Sequence, residues 1–203
     1  PILVHRYGSR ALLFPTLRCP MFCRYCFRKA AINGSPLRFR THFADAKEYL
    51  KNHVEIREVI LSGGDPLMLS DARLAEILAA LRQIAHIKLI RIHSRLPVTL
   101  PMRIDADLAH LLSSFRPLHL VTHFNHPREL TVEARKALRA LSDVGITLFN
   151  QAVLLRGVND TEAVQIALWQ TLAEHQVVGY YLHHLDPAPG THHFRLSLQE
   201  GLK

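Results

Sequence analysis

The chain has 203 residues, 48% of them apolar, and a formal net charge of +8. That apolar content excludes intrinsic disorder, and the length supports a sizeable core. No run of about 18 apolar residues occurs, so no membrane-spanning helix is expected. The basic balance suits an anionic partner, yet the charges are spread along the chain, densest at Arg24-Tyr25-Cys26-Phe27-Arg28-Lys29, and nucleic acid is not the expected one. The opening PILVHRYGSR has neither an initiator Met nor a signal segment, so a fragment of a longer protein is expected. No linker-like shift in composition divides residues 1–203, which are expected to form one domain.

Short β-rich apolar runs alternate with amphipathic segments. The strand candidates are Ala11–Leu17, Glu58–Leu61, Lys88–His93, His119–Phe124, Thr147–Leu155 and Val178–Leu185. A weak helical stripe covers Ala44–His53. Leu74, Ile77, Leu78, Leu81 and Ile84 follow at helical spacing after Asp71, the expected N-cap. Ile104, Leu108, Leu111, Leu112 and Phe115 repeat the pattern, as do Ala134, Leu138 and Leu141. Val164, Leu168 and Leu172 form the last stripe, after Asp160. Strands alternating with helices predict parallel βα units with right-handed crossovers.

Polar residues gather at the C-terminal ends of these strands: Ser62-Gly63-Gly64-Asp65-Pro66, His93-Ser94-Arg95, His123-Phe124-Asn125-His126, Asn150-Gln151, and His184 with Asp186. A barrel brings all such positions round one mouth, where barrel active sites are built. Turn chemistry accounts for Gly63, Gly64, Asp65 and Pro66 but not for Gln151 inside an apolar strand. Six βα units close only part of a barrel. The expected fold is an α/β partial (β/α)6 TIM-like barrel.

Cys19, Cys23 and Cys26 are the chain's three cysteines. An odd number within eight residues argues against a disulfide framework and for a reducing, cytoplasmic setting. Three thiolates can hold a cubane iron–sulfur cluster and leave one iron open for a chelating ligand. Structural zinc wants four ligands, which would require a recruit such as His5.

Cys19-Pro-Met-Phe-Cys23-Arg-Tyr-Cys26 resembles the CxxxCxxC loop of radical S-adenosylmethionine (SAM) enzymes. Cys23–Arg28, LSGGDPLM (Leu61–Met68), RIHSRLPV (Arg91–Val98), THFNHP (Thr122–Pro127), NQAVLLRGVND (Asn150–Asp160) and YYLHHLD (Tyr180–Asp186) are together similar to the lysine 2,3-aminomutase family. The nearest likeness is to the branch that supplies β-lysine for elongation factor P (EF-P). The resemblance implies the partial-barrel fold, a 4Fe-4S cluster on the three cysteines, SAM as radical source, and pyridoxal phosphate (PLP) carrying the lysine amino group during its 2,3-migration. It also implies an electron donor such as flavodoxin or ferredoxin, and a functional link to EF-P and its ligase.

Carried over position by position, the family pattern puts Gly63, Gly64 and Asp65 beside the SAM amino group, where two glycines would let backbone approach the ligand. His123 and Gln151 fall near SAM. Arg28 matches a substrate-carboxylate arginine, and Asp186 a carboxylate that holds the lysine side-chain ammonium. Arg6 and Arg10 match arginines near PLP. The PLP-bearing lysine of the family lies downstream, Lys203 falling too early, so the chain is expected to lack that anchor. A free-lysine aminomutase is the alternative within the family. A non-catalytic zinc or nucleic-acid module, using His183-His184 and His192-His193, is the alternative outside it.

Overall fold

The structure is a computed structural model and describes residues 2–30, 32 and 39–202; Lys203 lies outside them. Seven strands form one sheet in unbroken sequence order: β1 (Leu3–Tyr7), β2 (Arg10–Thr16), β3 (Glu58–Gly63), β4 (Leu89–His93), β5 (Leu118–Thr122), β6 (Thr147–Val153) and β7 (Val177–His183). β2 to β7 are parallel throughout. β1 is antiparallel to β2 and covers that edge. The alternation reading missed β1, because a short hairpin strand of mixed burial carries little period-two signal.

The helices α1 (Phe39–Asn52), α2 (Asp71–Arg82), α3 (Leu96–Thr99), α4 (Ala106–Ser113), α5 (Val132–Asp143), α6 (Glu162–Glu174) and α7 (Leu198–Gly201) fill the connections and the C-terminal end. A sheet whose order never reverses is singly wound. Right-handed crossovers then place the helices between its strands on one face, and the other face curls into a barrel interior. β1 and β7 are not paired with each other, so the barrel stays open.

The side-chain alternation follows from this. Val59, Leu61, Ile90, Ile92, Leu120, Leu148 and Ala152 are buried under the helices, where Leu74, Ile77, Leu78, Leu81, Leu108, Leu112, Leu138, Leu141, Leu168 and Leu172 meet them. The alternate positions, among them Arg91, His93, His119, Phe149 and Gln151, are half-buried on the interior face. Half-burial is what an open barrel allows.

Strand ends differ from the sequence expectation by one or two residues, and α1 begins five residues before the expected Ala44. The N-cap of α2 is Ser70, whose Oγ accepts from Arg73 N at 3.4 Å, and Asp71 instead pairs with Arg103. Thr161 caps α6, while Asp160 closes the preceding turn by accepting from Gly157 N at 2.9 Å. In both places a hydroxyl one residue from the expected acid has the extended backbone a cap needs. Phe124 and Leu155 lie beyond their strands.

Candidate active site

The segment after β2 carries the three cysteines over the C-terminal ends of the strands. Two backbone hydrogen bonds tie its start to the glycine turn that follows β3: Gly64 N to Thr16 O and Asp65 N to Arg18 O, both 2.8 Å. A Cβ on Gly64 would lie 2.3 Å from Arg18 O and 2.6 Å from Leu17 C. One on Gly63, whose φ is +107°, would lie 2.6 Å from Thr16 O. The glycines thus admit the chain's own β2 terminus, where the sequence reading had them admit a ligand. The Asp65 carboxylate, 4% exposed, accepts from Ser94 Oγ (2.7 Å), Arg95 N (2.7 Å) and Leu67 N (3.1 Å). Burial raises its pKa to about 6 against those donors. Its oxygens hold β3 to β4.

From β4 the link returns to the cysteines. Arg95 donates from Nη1 to Cys23 Sγ at 2.9 Å and from Nη2 to Glu129 Oε1 at 2.7 Å. Glu129 Oε2 accepts from Asn125 N at 2.6 Å, and Asn125 Nδ2 donates to the Tyr25 hydroxyl at 2.6 Å. Asn159, fully buried, donates to Asn125 O and Val153 O and accepts from Leu155 N. Asn150 accepts from Phe124 N at 2.7 Å and donates to Phe124 O at 3.0 Å, fixing the backbone beside His123. One polar network therefore anchors the cysteine loop to the ends of four strands.

Cys19, Cys23 and Cys26 are half-buried and lie within electrostatic reach of one another. Burial, then Asp65 and the other two thiols, raises Cys19 to about 11. Metal binding must displace that proton, as thiolate ligation always does. Among the described residues, no three of His, Cys, Asp and Glu converge as ligands of a single ion would. That is no obstacle to a cubane, whose irons each take one thiolate. His5, the recruit a zinc site would require, is hydrogen-bonded to the Tyr49 hydroxyl at 3.0 Å. It pairs with Ala11, far down β2 from the cysteines.

Inside the mouth, the Nε2 atoms of His93 and His123 are buried without a hydrogen-bond partner. Burial, with nearby arginines and histidines adding to it, lowers both rings to about 3, so both are neutral at ordinary pH. Orphaned ring nitrogens in a polar mouth are the observation that fits a bound polar ligand there. Gln151 faces the same space and meets His183 Nε2 at 3.4 Å. Arg28 donates to Ser62 Oγ at 3.2 Å, with its guanidinium against Phe14 and Phe27. Asp186 is exposed past β7, within electrostatic reach of His183.

Arg6 and Arg10 are not at this mouth. They lie on β1 and at the start of β2, about 20 Å down the strand from Thr16 at 3.3 Å per residue. Arg10 faces Glu58 at 3.8 Å, and Glu58 also pairs with Arg91 at 2.5 Å. Arg91 Nη1 in turn donates to the Tyr180 hydroxyl at 2.8 Å. The sequence reading gave no individual role to His93, Arg95, Tyr25, Asn125, Glu129 or Asn159, and gave His183 one only in the zinc or nucleic-acid alternative. All but Glu129 fall within its quoted motifs, and the mark of His93, Arg95, Asn125 and His183 is a polar residue at or just past a strand end.

The model of the radical SAM superfamily matches residues 13–169. The chain belongs to the radical SAM superfamily. As in that family, three cysteines in a loop after the first parallel strand are the candidate ligands of a 4Fe-4S cluster that works with SAM. The chain is 46% identical to the L-lysine 2,3-aminomutase of Methanococcus maripaludis over 202 residues, 99% of this chain and 47% of that protein. It is 42% identical to that of Escherichia coli over 98% of this chain and 59% of that protein. It is also 36% identical to the glutamate 2,3-aminomutase of Clostridioides difficile, over 99% and 48%. The chain thus spans about half the length of the curated relatives it matches. The SAM-bound crystal structure of Streptococcus suis SuiB shares the fold at 15% identity, with TM-score 0.68 over 93% of this chain and 43% of that one. So does a radical SAM methyltransferase from Sphaerobacter thermophilus, at 16% identity and TM-score 0.69, over 98% and 62%.

Proposed function

We propose that residues 1–203 are the radical SAM domain of an aminomutase that moves the amino group of L-lysine from the α- to the β-carbon. What carries this reading is the likeness to lysine 2,3-aminomutases over essentially the whole chain, joined to the buried, unpartnered Nε2 atoms of His93 and His123 at the strand ends. When bound, the cluster with SAM supplies a hydrogen-abstracting radical, and PLP supplies the carrier for the migrating amino group.

Cys19, Cys23 and Cys26 hold the cluster. His123, Gln151 and the Gly63–Asp65 turn border SAM, the turn acting through its backbone because the Asp65 carboxylate is already engaged. Arg28, beside Ser62, takes the substrate carboxylate, where a two-pronged donor suits a two-oxygen acceptor. Asp186 takes the side-chain ammonium. An acidic group there favours lysine over glutamate, whose side-chain carboxylate it would repel. Arg6 and Arg10 serve the PLP phosphate from the far end of the strands. The β-lysine would serve EF-P modification, a reading supported by the HSRLPV stretch at His93–Val98 and by His183 and Leu185 before Asp186. The cytoplasm and a small electron-transfer protein are its expected setting and partner. A free-lysine aminomutase is the alternative.

Electron paramagnetic resonance of the anaerobically reconstituted, reduced chain tests the core of this reading. A 4Fe-4S signal that changes on adding SAM is expected, together with its loss in Cys23→Ala. A silent sample that takes up zinc and refuses iron would overturn it. In the full-length protein, 5′-deoxyadenosine and β-lysine formed from lysine but not from glutamate are expected; product from glutamate alone would overturn the substrate.

A further inference from the structure

Arg95 is placed with unusual completeness. Its backbone N–H is held by Asp65 Oδ2 at 2.7 Å, and Ser94 Oγ on the other carboxylate oxygen fixes that acceptor. Its guanidinium donates to Cys23 Sγ at 2.9 Å, to Glu129 Oε1 at 2.7 Å and to His123 O at 3.3 Å, and lies 5.3 Å from the Tyr25 ring centroid. The Arg95 side chain is 16% exposed and that of Glu129 23%. Glu129 is itself anchored by Asn125 N. Of the three cysteines, Cys23 alone has a donor this close among the hydrogen bonds of the described residues.

We propose that Arg95 sets the reduction potential of the cluster through its hydrogen bond to the Cys23 sulfur, with Glu129 as an opposing charge that also holds the guanidinium in place. Reduction adds a negative charge that is shared with the thiolate sulfurs. A cation donating to one of those sulfurs stabilises the reduced state more than the oxidised one and raises the potential. The carboxylate on the other side of the same guanidinium works in the opposite sense. Partial burial keeps both effects from being screened by solvent. Arg95 is a positioning residue here, since it acts on the cluster through Cys23. The proposal rests on the assignment of the cluster to the three cysteines.

The test is a redox titration of the reconstituted chain, followed by electron paramagnetic resonance, with iron content measured alongside. Arg95→Met and Arg95→Gln should keep about four irons and lower the midpoint potential. At the midpoint of the unaltered chain, the reduced-to-oxidised ratio should fall about tenfold, equivalent to about 59 mV for one electron. Glu129→Gln should move the potential upward. Shifts of opposite sign from two partners of one ion pair are not what a merely structural role produces. An unmoved potential in any cluster-bearing Arg95 variant, or a downward shift in Glu129→Gln, overturns the proposal. If neither Arg95 variant takes up iron, Glu129→Gln decides: an upward shift supports the proposal and an unmoved value overturns it. An unaltered chain that assembles no cluster overturns the metal assignment itself. An intact cluster with unmoved potentials overturns the role of Arg95 alone.

Discussion

Gly64→Ala probes the joint between the glycine turn and the cysteine loop. The new Cβ would lie 2.3 Å from Arg18 O, 2.6 Å from Leu17 C and 2.7 Å from Arg18 N, all of them backbone atoms that cannot rotate away. Ordinary carbon contacts need about 3.5 Å or more, so the two segments must part by roughly 1 Å. That movement breaks Gly64 N to Thr16 O and Asp65 N to Arg18 O, at about 1 kcal/mol each. Overpacking adds about 1–3 kcal/mol. The expected loss is therefore about 3–5 kcal/mol, a large share of the roughly 5–15 kcal/mol typical of a domain. Urea unfolding followed by circular dichroism reads it as a lowered midpoint at constant slope. Cys19 follows Arg18 directly, so iron uptake should fall too. Gly8→Ala is the control, because no atom lies within 4 Å of its added Cβ. A loss below about 1 kcal/mol for Gly64→Ala, with full iron uptake, would refute the close-packed joint.

Asn159→Ala should cost about 3 kcal/mol in the same assay, since it removes three buried hydrogen bonds worth about 1 kcal/mol each; a neutral result would mean the loops after β5 and β6 are held by something else. His93 and His123 have rings lowered to about 3 by burial, so the unfolded chain takes their protons first on acidification. Their contribution to stability is present above about 6.5 and is lost as pH falls toward 3. His123→Asn should flatten the fall in urea midpoint between pH 6.5 and 4, and an unchanged slope would place the ring in water. The comparison must be between variants, because Asp65, raised to about 6, adds the opposite slope: its contribution is present below about 3.8 and is lost as pH rises through 6. In the full-length enzyme, Asp186→Asn should raise the KM for lysine about tenfold or more and leave uncoupled SAM cleavage intact, the loss expected when one charge of an ion pair is removed. Loss of the cluster in that variant would instead make Asp186 structural.

The strands and helices were largely legible because each carries its own periodicity. Ile90 and Ile92 against Arg91 and His93, or Leu74, Ile77, Leu78 and Leu81 along α2, report locally which face is buried. β1 escaped because its five residues pack against a single neighbour. The motif residues were visible as polar letters at strand ends, but their division of labour was not. Asp65 reads as a ligand-facing acid, yet its oxygens are taken by Ser94, Arg95 and Leu67. Arg95 reads as one more basic residue, yet it is the link to Cys23.

By itself, the sequence determined the family chemistry, since three thiols at fixed spacing and an ordered set of strand-end motifs survive in any reading of the chain. It also determined the βα alternation, which follows from local pattern, and its polar strand ends pointed to a barrel. Only the tertiary structure decided which polar groups are left unpartnered at the mouth and which are spent on holding the loop. Cys23, Asp65, Arg95, Asn125 and Asn159 are far apart in sequence, and hydrogen-bond partnership at 3 Å depends on strand register and barrel curvature. Arg6 and Arg10 make the same point from the other end. The order of the strands says that they belong to the barrel, and only the direction of β1 and β2 puts them at its foot.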